Sequence, residues 1–137
     1  MATPVQAAVL DPSLAGRDLL VSSQTGSGKT VAFGTLIADA LLAAGAAKPP
    51  VASGSAPRAL VVAPTRELAA QVSRELGWLF EAARTRLGAF TGGTALGGDL
   101  RKLRTGVDIA VGTPGRLVDL HERKALDLSA IEVLVLD

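Results

Sequence analysis

Leu19-Leu20-Val21-Ser22-Ser23-Gln24-Thr25-Gly26-Ser27-Gly28-Lys29-Thr30 reads as a strand of buried type, a glycine-rich turn and the opening of a helix, and that order decides the fold. Gly26 and Gly28 let the backbone turn its N–H groups inward, where they and the helix N-terminus form a nest for anions. Lys29 adds a point charge that reaches outer phosphates, and the Thr30 hydroxyl is placed to ligate Mg2+. Thr25, Gly26, Ser27, Gly28, Lys29 and Thr30 are therefore candidate ligands of a nucleoside triphosphate. Ser23 stands where the strict pattern has glycine, so the flanking strand and helix carry the reading; a ligand-free glycine turn is the alternative.

Working outward, Leu19-Ser23, Ala59-Ala63, Leu87-Thr91, Ile109-Gly112 and Val133-Leu136 read as strands buried on both faces, with helical stretches between most of them. This alternation predicts an α/β domain with a mostly parallel sheet and helices on both faces. Phe33, Leu36, Ile37, Ala40, Leu41 and Ala44 form a helical stripe that Gly45 is placed to end. Leu68, Val72, Leu76, Leu79 and Ala83 form another, opened by Thr65 as N-cap, with Trp78 read as packing. Ala46 to Pro57 has no periodicity and reads as an exposed, mobile connection.

With 48% hydrophobic and 20% charged residues in 137, the composition is that of one globular domain. A net charge of +1 excludes a polycationic nucleic-acid binder, so any such binding comes from local placement of arginines and backbone amides. The absence of cysteine, with His121 as the single histidine, excludes disulfides and a structural zinc site. His121 itself reads as a solvated face residue. Met1 to Leu10 has no basic or long apolar signal region, so the cytoplasm is the default compartment. Val31 to Ala47 is interrupted by Thr35 and Asp39 and is short for a bilayer span of about 20 residues, so no membrane is expected.

Ser23-Thr30, Pro64-Ala69, Thr91-Gly93 and Thr113-Arg116 each follow a predicted strand, and Asp137 ends the fifth. In an open parallel sheet those ends share one edge, outside which ligands bind. Pro64, Thr65, Arg66, Gly92, Gly93, Thr113, Gly115 and Arg116 supply hydroxyls, guanidinium groups and approachable N–H groups, the parts that hold a sugar-phosphate backbone without a base code. Taken singly, Thr65 and Thr113 serve equally as helix caps, with Pro114 at the first helical position. Likewise Gly92-Gly93 can be a turn and the arginines surface charges. Aromatics are only 3%, so base stacking is not the means of binding. About three neutralised phosphates would give a log K against log salt slope of about −2.

These motifs, in this order, resemble those of the DEAD-box RNA helicases over essentially the whole chain. Gln6 in Thr3-Pro4-Val5-Gln6 is similar to the family's adenine-reading glutamine; from the residues alone it is an ordinary side chain on a short helix. An amide donor and acceptor fit N6 and N7 of adenine and mismatch guanine, which implies ATP over GTP. Pro64-Thr65-Arg66-Glu67-Leu68-Ala69, Thr91-Gly92-Gly93 and Thr113-Pro114-Gly115-Arg116 resemble three motifs lining the family's RNA track, where contacts to 2′-hydroxyls favour RNA. Val135-Leu136-Asp137 resembles the start of the motif that names the family, implying that Asp137 orients Mg2+ and acts in catalysis with Lys29.

The resemblance implies that residues 1–137 are the N-terminal RecA-like domain of an ATP-dependent enzyme acting on single-stranded or duplex RNA. It also implies further parts: a glutamate after Asp137, a Ser-Ala-Thr motif, and a second RecA-like domain that supplies arginines. An arginine finger is worth about 10³ to 10⁵ in rate, so the 137 residues alone are expected to turn over ATP negligibly. In the family the Ser-Ala-Thr strand lies between the phosphate-loop strand and the Asp137 strand. Without it a central gap is expected, and with it a marginal or oligomeric isolated chain. The readings set against this one are a non-catalytic nucleotide- or RNA-binding module, and a small P-loop kinase or NTPase, which leaves Pro64-Ala69 and Thr113-Arg116 unexplained.

Overall fold

The computed structural model describes residues 2–14, 16–22, 28–43 and 56–137. Among these, β1 (Ala59–Val62), β2 (Leu87–Phe90), β3 (Ile109–Gly112) and β4 (Val133–Leu136) form one parallel sheet in the order β2-β3-β1-β4. Ala59 stands opposite both Ile109 and Val133, and Leu87 opposite Ile109, so the four strands start level and finish at one edge. Four of the five expected strands are thereby found where the sequence places them.

Side chains alternate across a strand, and each face of the sheet gathers its own core. On one face Val61, Ile109 and Val111 pack with Phe33 and Ile37 of α2 (Lys29–Ala43) and Ala69, Val72 and Leu76 of α3 (Arg66–Leu79). On the other, Leu60, Phe90 and Ala110 pack with Leu103 of α4 (Leu96–Thr105) and Leu117 and Leu120 of α5 (Pro114–Glu122). The short helix α1 (Pro4–Val9) lays Val5 and Val9 against Ala32 of α2. Ile37, Leu76 and Leu120 are each wholly buried, worth about 1.5 to 3 kcal/mol apiece. No helix among the described residues is long and apolar enough to cross a membrane.

Arg58, just before β1, ties this framework together. It donates to the Ala40 and Leu41 carbonyls near the end of α2 and to Glu132 at 2.8 Å. Its side chain thus satisfies carbonyls that a helix C-terminus leaves without intrahelical partners.

Several expectations are corrected. Leu19–Ser22 is not a strand: Leu19 packs beside α1, while Leu20 is fully exposed and no described strand lies alongside to accept a ladder. Ser23, the last residue of that expected strand, lies outside the described residues, as do Ala44, Gly45 and residues 46–55. Pro57, read as part of an exposed connection, is buried. β4 is not buried on both faces. Val133 and Val135 pack on the core, but Leu134 and Leu136 are 57% and 75% exposed because no described element covers that side. On α3 the buried stripe runs Ala69, Val72, Leu76, so Leu68 and Trp78 fall off it; Trp78 is 71% exposed rather than packed. Ala83 lies beyond the helix in an exposed 3-10 turn.

Candidate functional site

The chain enters α1 through a reciprocal cap. The Thr3 side chain accepts from the Gln6 N–H, and Gln6 Oε1 accepts from the Thr3 N–H at 3.1 Å. The other end of the same amide, Gln6 Nε2, donates to the Gly28 carbonyl at 3.2 Å. Gly28 has φ +86°, a left-handed conformation that suits glycine, and a Cβ there would collide with the Gln6 amide. Gln6 therefore touches the end of the glycine-rich turn. Thr25, Gly26 and Ser27 lie outside the described residues, together with Ser23 and Gln24.

Lys29 is the first residue of α2 and Thr30 the second. Lys29 Nζ lies 2.7 Å from Asp137 Oδ1. Asp137 reaches this point because its N–H continues the ladder of β4 onto the Val62 carbonyl, at 2.9 Å, past the last paired residue. The ammonium is 41% exposed and the carboxylate 11%, so the lysine faces solvent from above a more sheltered acid. The Thr30 hydroxyl and the Asp137 carboxylate are hard oxygen donors, the kind that suits a divalent cation.

A groove of about 550 Å³ opens on the same edge, lined by Pro64, Thr65, Arg66, Glu67, Gly92, Thr113, Gly115, Arg116 and Asp119. Three loops meet there because β1, β2 and β3 end level. Thr65 caps α3, accepting from the Leu68 N–H at 3.2 Å. Thr113 occupies the corresponding position on α5, with Pro114 following, but its hydroxyl makes no capping bond. The two threonines thus differ: the cap reading holds by hydrogen bond for Thr65 and by position alone for Thr113. Gly93, at φ +86°, sits under the Arg66 guanidinium, and a Cβ there would stand 2.8 Å from Arg66 Cζ. Nothing lies within 4 Å of where a Gly115 side chain would project, so that backbone is open to a ligand.

The sequence missed Asp99. It is 3% exposed and pairs with Arg116 at 2.7 Å, and Arg116 also donates to the Thr94 carbonyl at 2.9 Å. Gly97-Gly98-Asp99 follows no pattern that marks a buried acid, and only the packing of α4 against α5 reveals it. Asp119, also on the groove, pairs with Arg123 at 2.9 Å. His121 is exposed, as expected, with Nδ1 at 3.1 Å from the Leu126 carbonyl.

Residues 3–137 match the model of the DEAD/DEAH box helicase family. The chain belongs to that family. It is 45% identical over 136 residues to the mitochondrial DEAD-box ATP-dependent RNA helicase 9 of Arabidopsis thaliana, covering 98% of this chain and 21% of that protein. It is 44% identical over 137 residues to the ATP-dependent RNA helicase RhlB of Escherichia coli O157:H7, covering 98% of this chain and 32% of that protein. Among solved structures, the yeast DEAD-box splicing factor Prp28 superposes with a TM-score of 0.86 at 34% identity, over 98% of this chain and 32% of that one. The chain thus spans a fifth to a third of the length of these DEAD-box relatives. Its fold is an incomplete α/β domain of their RecA-like type, as the motifs imply.

Proposed function

We propose that this chain is the N-terminal domain that holds ATP and RNA backbone in an ATP-dependent RNA helicase. What carries the reading is the placement of two sets of groups on one sheet edge. Lys29, Thr30, Gln6 and Asp137 stand at the end of the glycine-rich turn, and the Arg66-Gly92-Thr113-Gly115 groove opens across the ends of β1 to β3. In this reading Thr25, Gly26, Ser27, Gly28 and Lys29 hold the phosphates and Gln6 reads adenine. Thr30 and Asp137 hold Mg2+, which supplies charge neutralisation to the transferring phosphoryl group. Pro64, Thr65, Arg66, Gly92, Gly93, Thr113, Gly115 and Arg116 form the RNA face. A second RecA-like domain completes the enzyme, and the cytoplasm is the proposed compartment on the sequence reading alone.

The test is ATP hydrolysis by the full-length protein with and without single-stranded RNA, repeated with GTP. RNA-stimulated turnover specific for ATP and lost in Lys29→Ala is expected. Hydrolysis indifferent to RNA would instead describe a small NTPase, and nucleotide binding without turnover a binding module.

A further inference from the structure

The two arginines on the groove are held in opposite ways. Arg116 has its fork filled from within the protein, one nitrogen on Asp99 and another on the Thr94 carbonyl, with side-chain exposures of 11% for Arg116 and 4% for Asp99. Arg66 is exposed and, among the described residues, makes no hydrogen bond or ion pair; its guanidinium lies over Gly93. A buried carboxylate is tolerated only when paired, and once paired it cancels the charge of its partner. The Asp99–Arg116 pair also joins three segments: the turn after β2 through Thr94, α4 through Asp99, and the first turn of α5 through Arg116. Gly92 and Gly115, which border the groove, lie on the first and last of these.

We propose that Asp99 makes Arg116 a positioning residue instead of a phosphate ligand: the pair sets the spacing between the Gly92 and Gly115 walls, and Arg66 is the cation that meets phosphate. This rests on the groove being an RNA-backbone site. Asp99 acts through Arg116 and touches no RNA. Neutralising a phosphate of single-stranded nucleic acid contributes about −0.7 to the slope of log K against log salt, whereas setting a spacing contributes nothing. Slope and affinity therefore separate the two roles.

The experiment measures affinity of the full-length protein for fluorescent single-stranded RNA across a salt series. Arg66→Gln flattens the slope by about 0.7. Arg116→Gln weakens binding at every salt concentration. Because that variant leaves the Asp99 carboxylate without its partner, the slope is read from the pair Asp99→Asn with Arg116→Gln, which replaces an ion pair by two neutral amides and keeps the parent slope. Asp99→Asn alone releases a charge beside the groove and steepens the slope. If the double variant flattens the slope as much as Arg66→Gln does, Arg116 is a phosphate ligand and the inference fails by itself. If the parent shows no salt-dependent RNA binding, the RNA reading of the groove falls and this inference with it.

Discussion

Lys29 and Asp137 are joined at 2.7 Å, so the cation that should meet phosphate is engaged by the acid that should stand behind Mg2+. The lysine is 41% exposed, which keeps this pair weak enough to exchange for a ligand. Asp137→Asn removes the competitor for Lys29. Nucleotide affinity measured without Mg2+ is expected to rise, and its dependence on Mg2+ to flatten. Lys29→Ala is expected to lose about 1.5 to 3 kcal/mol of nucleotide affinity, the range of a hydrogen bond to a charged group. Titration with fluorescent ADP, with and without Mg2+, reads both, and unchanged affinity in Lys29→Ala would remove the glycine-rich turn as the site.

Gln6 serves the cap at Thr3 and the Gly28 carbonyl with the two ends of one amide. Gln6→Ala is therefore expected to do two separable things: destabilise the fold by about 1 kcal/mol through the broken cap, and reduce the preference for ADP over GDP. Parallel titrations with the two nucleotides check the second effect, and a thermal melt checks the first. Retained base preference would place the adenine contact elsewhere.

Leu76 and Trp78 stand two positions apart on α3 and have opposite surroundings, 0% and 71% exposed. Leu76→Ala is expected to lose about 2 to 5 kcal/mol, the transfer of the side chain plus the cavity it leaves. Trp78→Ala should stay within about 0.5 kcal/mol of the parent. Urea unfolding followed by circular dichroism distinguishes them, and a large loss at Trp78 would show that its face is covered in solution.

Among the described residues β4 pairs with β1 alone, so its outer edge is open; Leu134 and Leu136 are exposed on one face of the same strand, and Leu20 is fully exposed elsewhere. An open edge flanked by apolar side chains recruits other chains. The isolated 137-residue chain is expected to self-associate in sedimentation experiments. Leu134→Lys combined with Leu20→Lys should reduce that association while leaving the melting temperature nearly unchanged. A monomeric parent would contradict this.

The four strands were legible because each is a short apolar run that begins after a charged residue (Arg58, Arg86, Asp108 or Glu132) and is followed within two residues by Pro64, Thr91, Thr113 or Asp137. Leu19-Leu20-Val21 carries the same local pattern but has no neighbour to pair with, and a ladder depends on the neighbour. The α3 stripe was read one residue out of phase at its start. Leu68 has helical spacing to Val72, yet it sits at the groove end of the helix where no core lies below, while small Ala69 takes the buried position. Groove residues were legible from their place after strands. The contacts Lys29–Asp137 and Asp99–Arg116 were not, since the packing of distant segments creates them and no spacing in the chain records them.

Arg58 fastens α2 at the end opposite Lys29, gripping the Ala40 and Leu41 carbonyls and Glu132 together. The helix has 15 residues, a rod of about 22 Å. Arg58 at its far end and buried Phe33 and Ile37 along its length hold it to the framework, so its first turn, at Lys29, is the least anchored part. A shift of the backbone at Gly28 would reach α1 directly, through the one hydrogen bond that the Gln6 amide makes to the Gly28 carbonyl.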